Sequence, residues 1–427
     1  MQELQDKIAA ADIPLAASLQ ILLQLDDGKF KMAENSDSRM TQAKKILFVT
    51  GDLRAGRGVE YFVYYAVTRL KDRDFHASVL QGLTVVPYHR MDKKEYQEIE
   101  RVADIYEFTD YLPNFYWMSR SGVGNIAMRI MVGPILALFS RGLLDEKARN
   151  AVSESDIIYL TGNTSNLMFS KRKHQVGSCH TLAIRGNSWL SRIVRASVRR
   201  FRIWPNISSF HFFPGCLGIL KSYENVPYFE VPLGVDTTLF FPRSSAHAKI
   251  RFMFAGAIDR GKGSLVALDA FLLLPEEIRD VSEIHIAGTG PIFEKIKQRA
   301  SKNVIVHGRM ERKDMADLYG RCDVFVYPTE YDTFSFTVLE ALSSGLHVIT
   351  TPVLAGIWDE EESKGYVEYV LRDASSFSSR MKDCVTNISI LRDKKPLIHE
   401  YIEEKYDWTH VIAEFYEGLR SVYGRKV

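Results

Sequence analysis

The chain is poor in cysteine. Cys179, Cys216, Cys322 and Cys384 are the only four in 427 residues, and no two stand in CxxC or other zinc-ligand spacing. A disulfide framework and a structural zinc site are therefore excluded, and a reducing compartment is expected. Long apolar runs are lacking too. The best one near the start, Ile13–Leu25, is 13 residues long, contains Pro14 and two glutamines, and follows no basic segment. A membrane-spanning helix needs about 20 apolar residues and a signal peptide needs a positive flank, so neither is expected. Val123–Leu144 is also apolar but is broken by Arg129, Pro134 and Arg141. Residues 1–43 read as an extension of one or two helices ending in the polar stretch AENSDSRMTQ. Asn-x-Ser/Thr triplets begin at Asn163, Asn206 and Asn387, and without a secretory signal they carry little weight.

A second absence is more telling. Between Ile157 and Tyr223 there is no Asp or Glu in 67 residues, against ten Lys and Arg. Tyr111–Leu144 is acid-free as well, with Arg120, Arg129 and Arg141. The net charge of +2 therefore hides a basic first half facing an acidic remainder, and such a split predicts an anionic partner. Within Leu190–Arg202, helical spacing at about 100° per residue puts Leu190, Ile193, Val194, Val198 and Phe201 on one face. Arg192, Arg195, Arg199 and Arg202 fall on the other. This is the pattern of a helix lying on an anionic membrane surface, and equally of a core-packed helix with a solvated basic face.

What is present is an ordinary globular balance, 46% hydrophobic and 25% charged, in a chain long enough for two to four domains at roughly 100–200 residues each. Strand-like apolar segments alternate with helical ones. ILFVT (46–50), HASVLQGL (76–83), DIIYL (156–160) and 226–231 mark strands in the first half. PRSSAH (242–247) reads as a linker. After it the pattern restarts with IRFMFAGA, EIHIAGTG, NVIVHG and DVFVYP, each followed by a helical segment. Alternation with glycines at strand ends predicts parallel sheets covered by helices, in two Rossmann-like α/β domains with the ligand in the cleft at the strand C-termini.

Four segments carry candidate chemistry. In GDLRAGRGVEYF (51–62), Gly56 and Gly58 permit close backbone approach before a helix N-terminus. In AGAIDRGKGS (255–264), Gly256, Gly261 and Lys262 approximate a P-loop, but Gly263 stands where the magnesium-binding hydroxyl belongs. What survives there is a pair of cations, Arg260 and Lys262, suited to a phosphate or diphosphate. In YPTEYDTFSFTVLEALSSGLHVIT (327–350), a strand gives way to a polar loop and then a helix starting near Phe336. Its first amides offer donors for phosphate or sugar oxygens, and Asp332 and Glu340 offer carboxylates for vicinal hydroxyls. Alternatively Asp332 caps the helix and Glu340 faces solvent. His180 closes a predicted strand in VGSCHT and is either structural or catalytic.

Taken in order, these segments resemble the retaining GT-B glycosyltransferases of family 4. KKILFVT with GRGVE resembles the opening strand and its glycine loop. VGSCH resembles the strand ending in the active-site His, and VPLGVDTTLFFP the segment before the second domain. FMFAGAIDRGKGSLVALDAF, IHIAGTGP and DVFVYPTEYDTFSFTVLEALSSGLHVIT follow, the last resembling the acidic E-x7-E segment. YDWTHVIAEFYEGL resembles the terminal helix that crosses back over the first domain. The resemblance spans about residues 44–425. It implies an N-terminal extension (1–43), an acceptor domain (44–241), a nucleotide-sugar donor domain (242–405) and a returning helix (406–427).

By the same resemblance, Glu340 holds the donor ribose, Arg260 and Lys262 neutralise the diphosphate, and Asp332 lies beside the donor sugar. The amides of Ser335, Phe336 and Thr337 contact sugar and phosphate. His180 lies near the reacting oxygens, the Gly58 loop and Gly256 border the phosphates, and Gly308-Arg309 borders the base. Asp332 and His180 are thus the expected catalytic residues. The departures are Arg57 for the first Gly of GGvE, Ala257 for an Arg, Asp332 for Glu, Thr333 and Ser335 for two glycines, and His347 for Pro.

The implied activity is retaining transfer of a hexosyl group from a UDP- or GDP-sugar to an acceptor hydroxyl. No metal or other cofactor is expected, and no nucleic acid. Charge alone adds a lipid-linked or glycan acceptor and an anionic membrane surface, hence a cytoplasmic protein peripheral to the inner face. Rival readings are a non-catalytic nucleotide-sugar-binding protein, a nucleotide-sugar epimerase and a P-loop-like hydrolase.

Overall fold

The computed structural model describes residues 44–50, 53, 58–69, 75–83, 91, 93–109, 144–161, 174–179, 208–212, 226–243, 249–332 and 334–423. The extension 1–43, Gly56, Arg57, His180, the basic segment 190–202 and most of the 242–247 linker lie outside these residues.

Two parallel sheets carry the chain. The first contains β1 (Lys44–Thr50), β2 (Phe75–Leu83), β3 (Asp104–Thr109), β4 (Ile157–Leu160), β5 (His174–Cys179), β6 (Ser209–Phe212) and β7 (Tyr228–Glu230), in the order β3-β2-β1-β4-β5-β6-β7. Its described helices are α1 (Gly58–Thr68), α2 (Lys93–Val102) and α3 (Glu146–Glu154). Ile46, Leu47, Phe48 and Val49 are all fully buried, as expected for a parallel strand covered on both faces.

The second sheet contains β8 (Ile250–Ala255), β9 (Ser282–Ala287), β10 (Val304–Gly308), β11 (Val324–Tyr327), β12 (His347–Thr350) and β13 (Val367–Tyr369), in the order β10-β9-β8-β11-β12-β13. Its helices are α4 (Ser264–Leu272), α5 (Glu276–Asp280), α6 (Phe293–Lys297), α7 (Arg312–Arg321), α8 (Phe336–Ser343), α9 (Asp359–Ser363), α10 (Ala374–Thr386) and α11 (Ile388–Tyr406). In both sheets the strand order reverses beside the first strand, the place where open α/β sheets bind ligands.

The chain crosses between the halves twice, side by side. The Val235 N–H donates to Tyr406 O at 2.9 Å, and the Trp408 N–H donates to Val235 O at 3.3 Å. The first crossing is packed rather than loose: Phe240 is buried against Tyr319 and Arg243 pairs with Asp317 at 2.8 Å. After the second crossing, α12 (Trp408–Val422) lies on the first domain. Phe415 meets Phe62 at 5.1 Å, Tyr159 at 5.3 Å and His211 at 5.4 Å between ring centroids, and the Tyr416 hydroxyl donates to Ala66 O at 2.9 Å.

That aromatic cluster encloses a histidine. His211 Nε2 faces Val231 O at 3.1 Å and therefore carries the proton, while Nδ1 accepts from the Tyr159 hydroxyl at 2.6 Å. Burial pushes its pKa down to about 3, so it packs as a neutral ring.

The halves also meet through Arg312 at the start of α7. Its guanidinium donates to Glu95 Oε1 at 2.8 Å and Tyr65 Oη at 3.4 Å, and lies 4.2 Å from the Tyr61 ring centroid. Burial alone lowers its pKa, but Tyr65, Tyr61 and Glu95 outweigh that and raise it.

Candidate active site at the second switch point

Each strand of the second sheet delivers its C-terminal loop to one edge, and the candidate residues of residues 255–340 converge there. The loop after β8 carries Arg260 and Lys262. Gly263, which ends it, has φ 82°, and a Cβ there would stand 2.0 Å from Pro328 O, so only glycine lets this loop press against the loop after β11.

The two loops are joined by charge. Lys262 Nζ donates to Asp332 Oδ2 at 2.8 Å, and the Tyr327 hydroxyl donates to the same oxygen at 2.8 Å. The ammonium also stands 5.7 Å from the Tyr327 ring and 5.5 Å from the Tyr331 ring. Burial pulls the Lys262 pKa down, but Tyr327 and Asp332 outweigh it and the net shift is upward. Burial, then Asp332, push the Tyr327 hydroxyl up to about 12. Asp332 is the acceptor of a half-buried two-donor cluster. Arg260 differs from its neighbour. It is exposed and has no ion pair among the described residues.

Helix α8 begins at the same edge, and its early amides lie beyond the reach of any intrahelical acceptor, because the first intrahelical bond is Leu339 N–H to Ser335 O at 3.2 Å. Ser335, just before it, has φ 69° and ψ 91° and is the only described non-glycine residue with positive φ. A side chain there costs about 1–3 kcal/mol of backbone strain. Its Oγ lies 3.1 Å from Thr337 Oγ1. Ser335→Gly is therefore expected to stabilise the protein by about 1 kcal/mol, read as a higher urea midpoint at unchanged slope. A lower midpoint would mean the hydroxyl pair outweighs the strain.

Glu340, on the second turn of α8, is half-buried. Burial pushes its carboxyl up to about 7, against the opposing pull of Arg312 and of the Tyr319 hydroxyl. A carboxylate kept uncomfortable in the free protein is poised to take donors from a ligand.

The remaining predicted residues are placed as follows. Gly256 (φ 146°) uses its N–H on Ala287 O at 3.1 Å, so it bends the chain without offering that amide to a ligand. The amides of Ile258, Asp259 and Lys262 are likewise bound to Thr289 O, Ala257 O and Asp259 Oδ1. A P-loop cradle needs successive unengaged amides, and these four are already engaged within the protein. Arg309 is exposed at the end of β10, and Gly58 is the first residue of α1, at the C-terminal edge of the first sheet. His180 immediately follows β5 and lies outside the described residues. Tyr327, Tyr319 and Arg312 carried no signal in the sequence, because each acts across a fold that brings distant segments together.

Residues 249–387 match the family described as Glycosyl transferases group 1. Solved structures of related shape extend the likeness to both halves. Sucrose-phosphate synthase (tll1590) from Thermosynechococcus elongatus superposes with a TM-score of 0.65 at 14% identity, covering 89% of this chain and 99% of that one. Anabaena Alr3699/HepE in complex with UDP superposes with a TM-score of 0.58 at 14% identity, covering 88% and 100%.

The fold is GT-B.

Among curated proteins, the sulfoquinovosyl transferase SQD2 of Arabidopsis thaliana is 28% identical over 195 residues, 41% of this chain and 36% of that protein. The chain spans about a third of the length of such curated relatives.

Proposed function

We propose that the chain is a retaining glycosyltransferase of family 4 and hexosyltransferase type. It would move a sugar from a UDP- or GDP-sugar to an acceptor hydroxyl. The observation that carries this reading is the convergence of Arg260, the Lys262–Asp332 pair, the α8 amides and Glu340 on one edge of the second sheet. These are the donors and acceptors that a sugar diphosphate nucleotide presents in reverse.

In this reading Glu340 accepts two ribose hydroxyls and becomes a carboxylate on doing so. The diphosphate takes the ammonium of Lys262 together with the guanidinium of Arg260, and Asp332, relieved of Lys262, accepts from a sugar hydroxyl. The bond from the anomeric carbon to the phosphate oxygen then breaks, with charge building on the oxygens that the two cations face. The acceptor oxygen bonds to the anomeric carbon on the same face, and its proton passes to the leaving phosphate. The transition state is oxocarbenium-like. His180 would lie beside the sugar. The cations supply the leaving-group charge, so we expect no metal requirement.

The two acid-free stretches of the first half, 111–144 and 157–223, support a lipid-linked or glycan acceptor presented at an anionic cytoplasmic membrane surface. No described helix is long and apolar enough to cross a membrane. Failure to bind anionic liposomes at low salt would remove that part of the reading.

The test of the donor site is calorimetric titration with UDP, GDP and ATP, each with EDTA and with magnesium. Binding of UDP or GDP that is indifferent to EDTA supports the reading and chooses the base. Magnesium-dependent ATP binding alone would overturn it in favour of a hydrolase.

A further inference from the structure

Arg372 lies in the turn between β13 and α10, at the far edge of the second sheet, 112 positions in sequence from Arg260. Its guanidinium reaches inward across the strand ends. Nε donates to Pro328 O at 2.9 Å. Nη2 donates to Arg260 O and, at 3.5 Å, to Gly261 O. Glu330 Oε2 lies 3.9 Å from the same nitrogen, and the Glu330 N–H donates to Gly261 O at 2.7 Å.

Those three carbonyls belong to two different loops. One carries Arg260 and Lys262, and the other carries Asp332. A guanidinium presents five donors in fixed, coplanar directions, so bonding both loops at once sets the distance between them. The Lys262–Asp332 pair joins the same loops, but through side chains that a bound diphosphate would recruit. Arg372 grips the backbone, and its bonds need not break when a ligand arrives.

We propose that Arg372 is the positioning residue of the donor site. It holds the cation loop in register with the Asp332 loop, so that Arg260 and Lys262 are already spaced for a diphosphate before one binds. This rests on the donor reading above, and Arg372 itself touches no substrate in it.

The test is calorimetric titration of UDP and GDP, in EDTA, into the wild type and into R372A, R372K, K262A and the R372A/K262A double variant. For the nucleotide that the wild type binds, R372A should bind about tenfold more weakly at unchanged stoichiometry. R372K should not restore affinity, because an ammonium keeps the charge and loses the fork. The double variant should lose less than the product of the two single losses, because without Lys262 only Arg260 is left for Arg372 to space. R372A binding like the wild type, R372K restoring affinity, or single effects that multiply in the double variant would each overturn the proposal alone. A wild type that binds neither nucleotide would overturn the donor reading, and this proposal with it.

Discussion

Replacing Glu340 with glutamine is expected to make the free protein more stable and to abolish nucleotide binding. Both effects have the same cause. Burial raises the Glu340 carboxyl from 4.5 to about 7 in the folded chain. A carboxylic acid with a raised folded pKa binds its proton more tightly folded than unfolded. The penalty on the native state therefore grows as the pH rises from 4.5 to about 7, is complete above that, and is relieved as the pH falls back towards 4.5. Each unit is worth about 1.4 kcal/mol, and the side chain keeps some contact with solvent, so the penalty at pH 8 is about 1–3 kcal/mol. Glutamine has no charge to desolvate. Its melting temperature at pH 8 should exceed the wild type's by several degrees, and the difference should shrink at pH 5. Nucleotide binding should go the other way. A carboxylate accepts two vicinal hydroxyls without a competing donor, whereas an amide does not. We expect at least a hundredfold loss of UDP or GDP affinity in E340Q, and a wild-type affinity that falls with pH below about 7. A destabilised E340Q, or one that binds normally, would remove Glu340 from the donor site.

The alternation of strands and helices was legible because each element is local: ILFVT and DVFVYP announce themselves by composition, and the glycines at strand ends by position. The candidate site was legible where its residues lie close in sequence, as in 256–263 and 332–340. The different surroundings of Arg260 and Lys262 were not legible. Only the fold brings Lys262 within reach of Asp332, 70 positions away, leaving Arg260 exposed. The helix start near Phe336 was readable, but the positive φ of Ser335 was not, since serine gives no hint of it. Arg372 and Arg312 were invisible for a related reason. One bonds backbone carbonyls, which every residue has, and the other meets its partner Glu95 across the two halves, 217 positions away.

Phe415→Ala is expected to uncouple the two halves. Phe415 is fully buried, and its ring is ringed in turn by Phe48, Phe62, Tyr159, His211, Phe229 and Tyr416. Alanine would leave a cavity that these stiff rings cannot collapse to fill, at about 3–5 kcal/mol. The backbone cannot close the gap either. A Cβ on Gly418 would already stand 2.3 Å from Phe229, so α12 is as near the sheet as it can come. The loss falls on the first sheet and on the docking of α12, away from the strands of the second sheet. Calorimetric unfolding of F415A should therefore separate into two transitions, the earlier one belonging to the first half. Function should divide the same way. The residues proposed to bind the nucleotide lie on the second sheet, so UDP or GDP affinity should stay within about threefold of the wild type's at temperatures below the first transition. The proposed sugar transfer would need both halves held together, and it should fall by an order of magnitude or more, since small misplacements of reacting groups cost rate steeply. A single transition with transfer intact would mean that the two crossings near Val235 and Trp408, with Arg312, hold the halves together without α12.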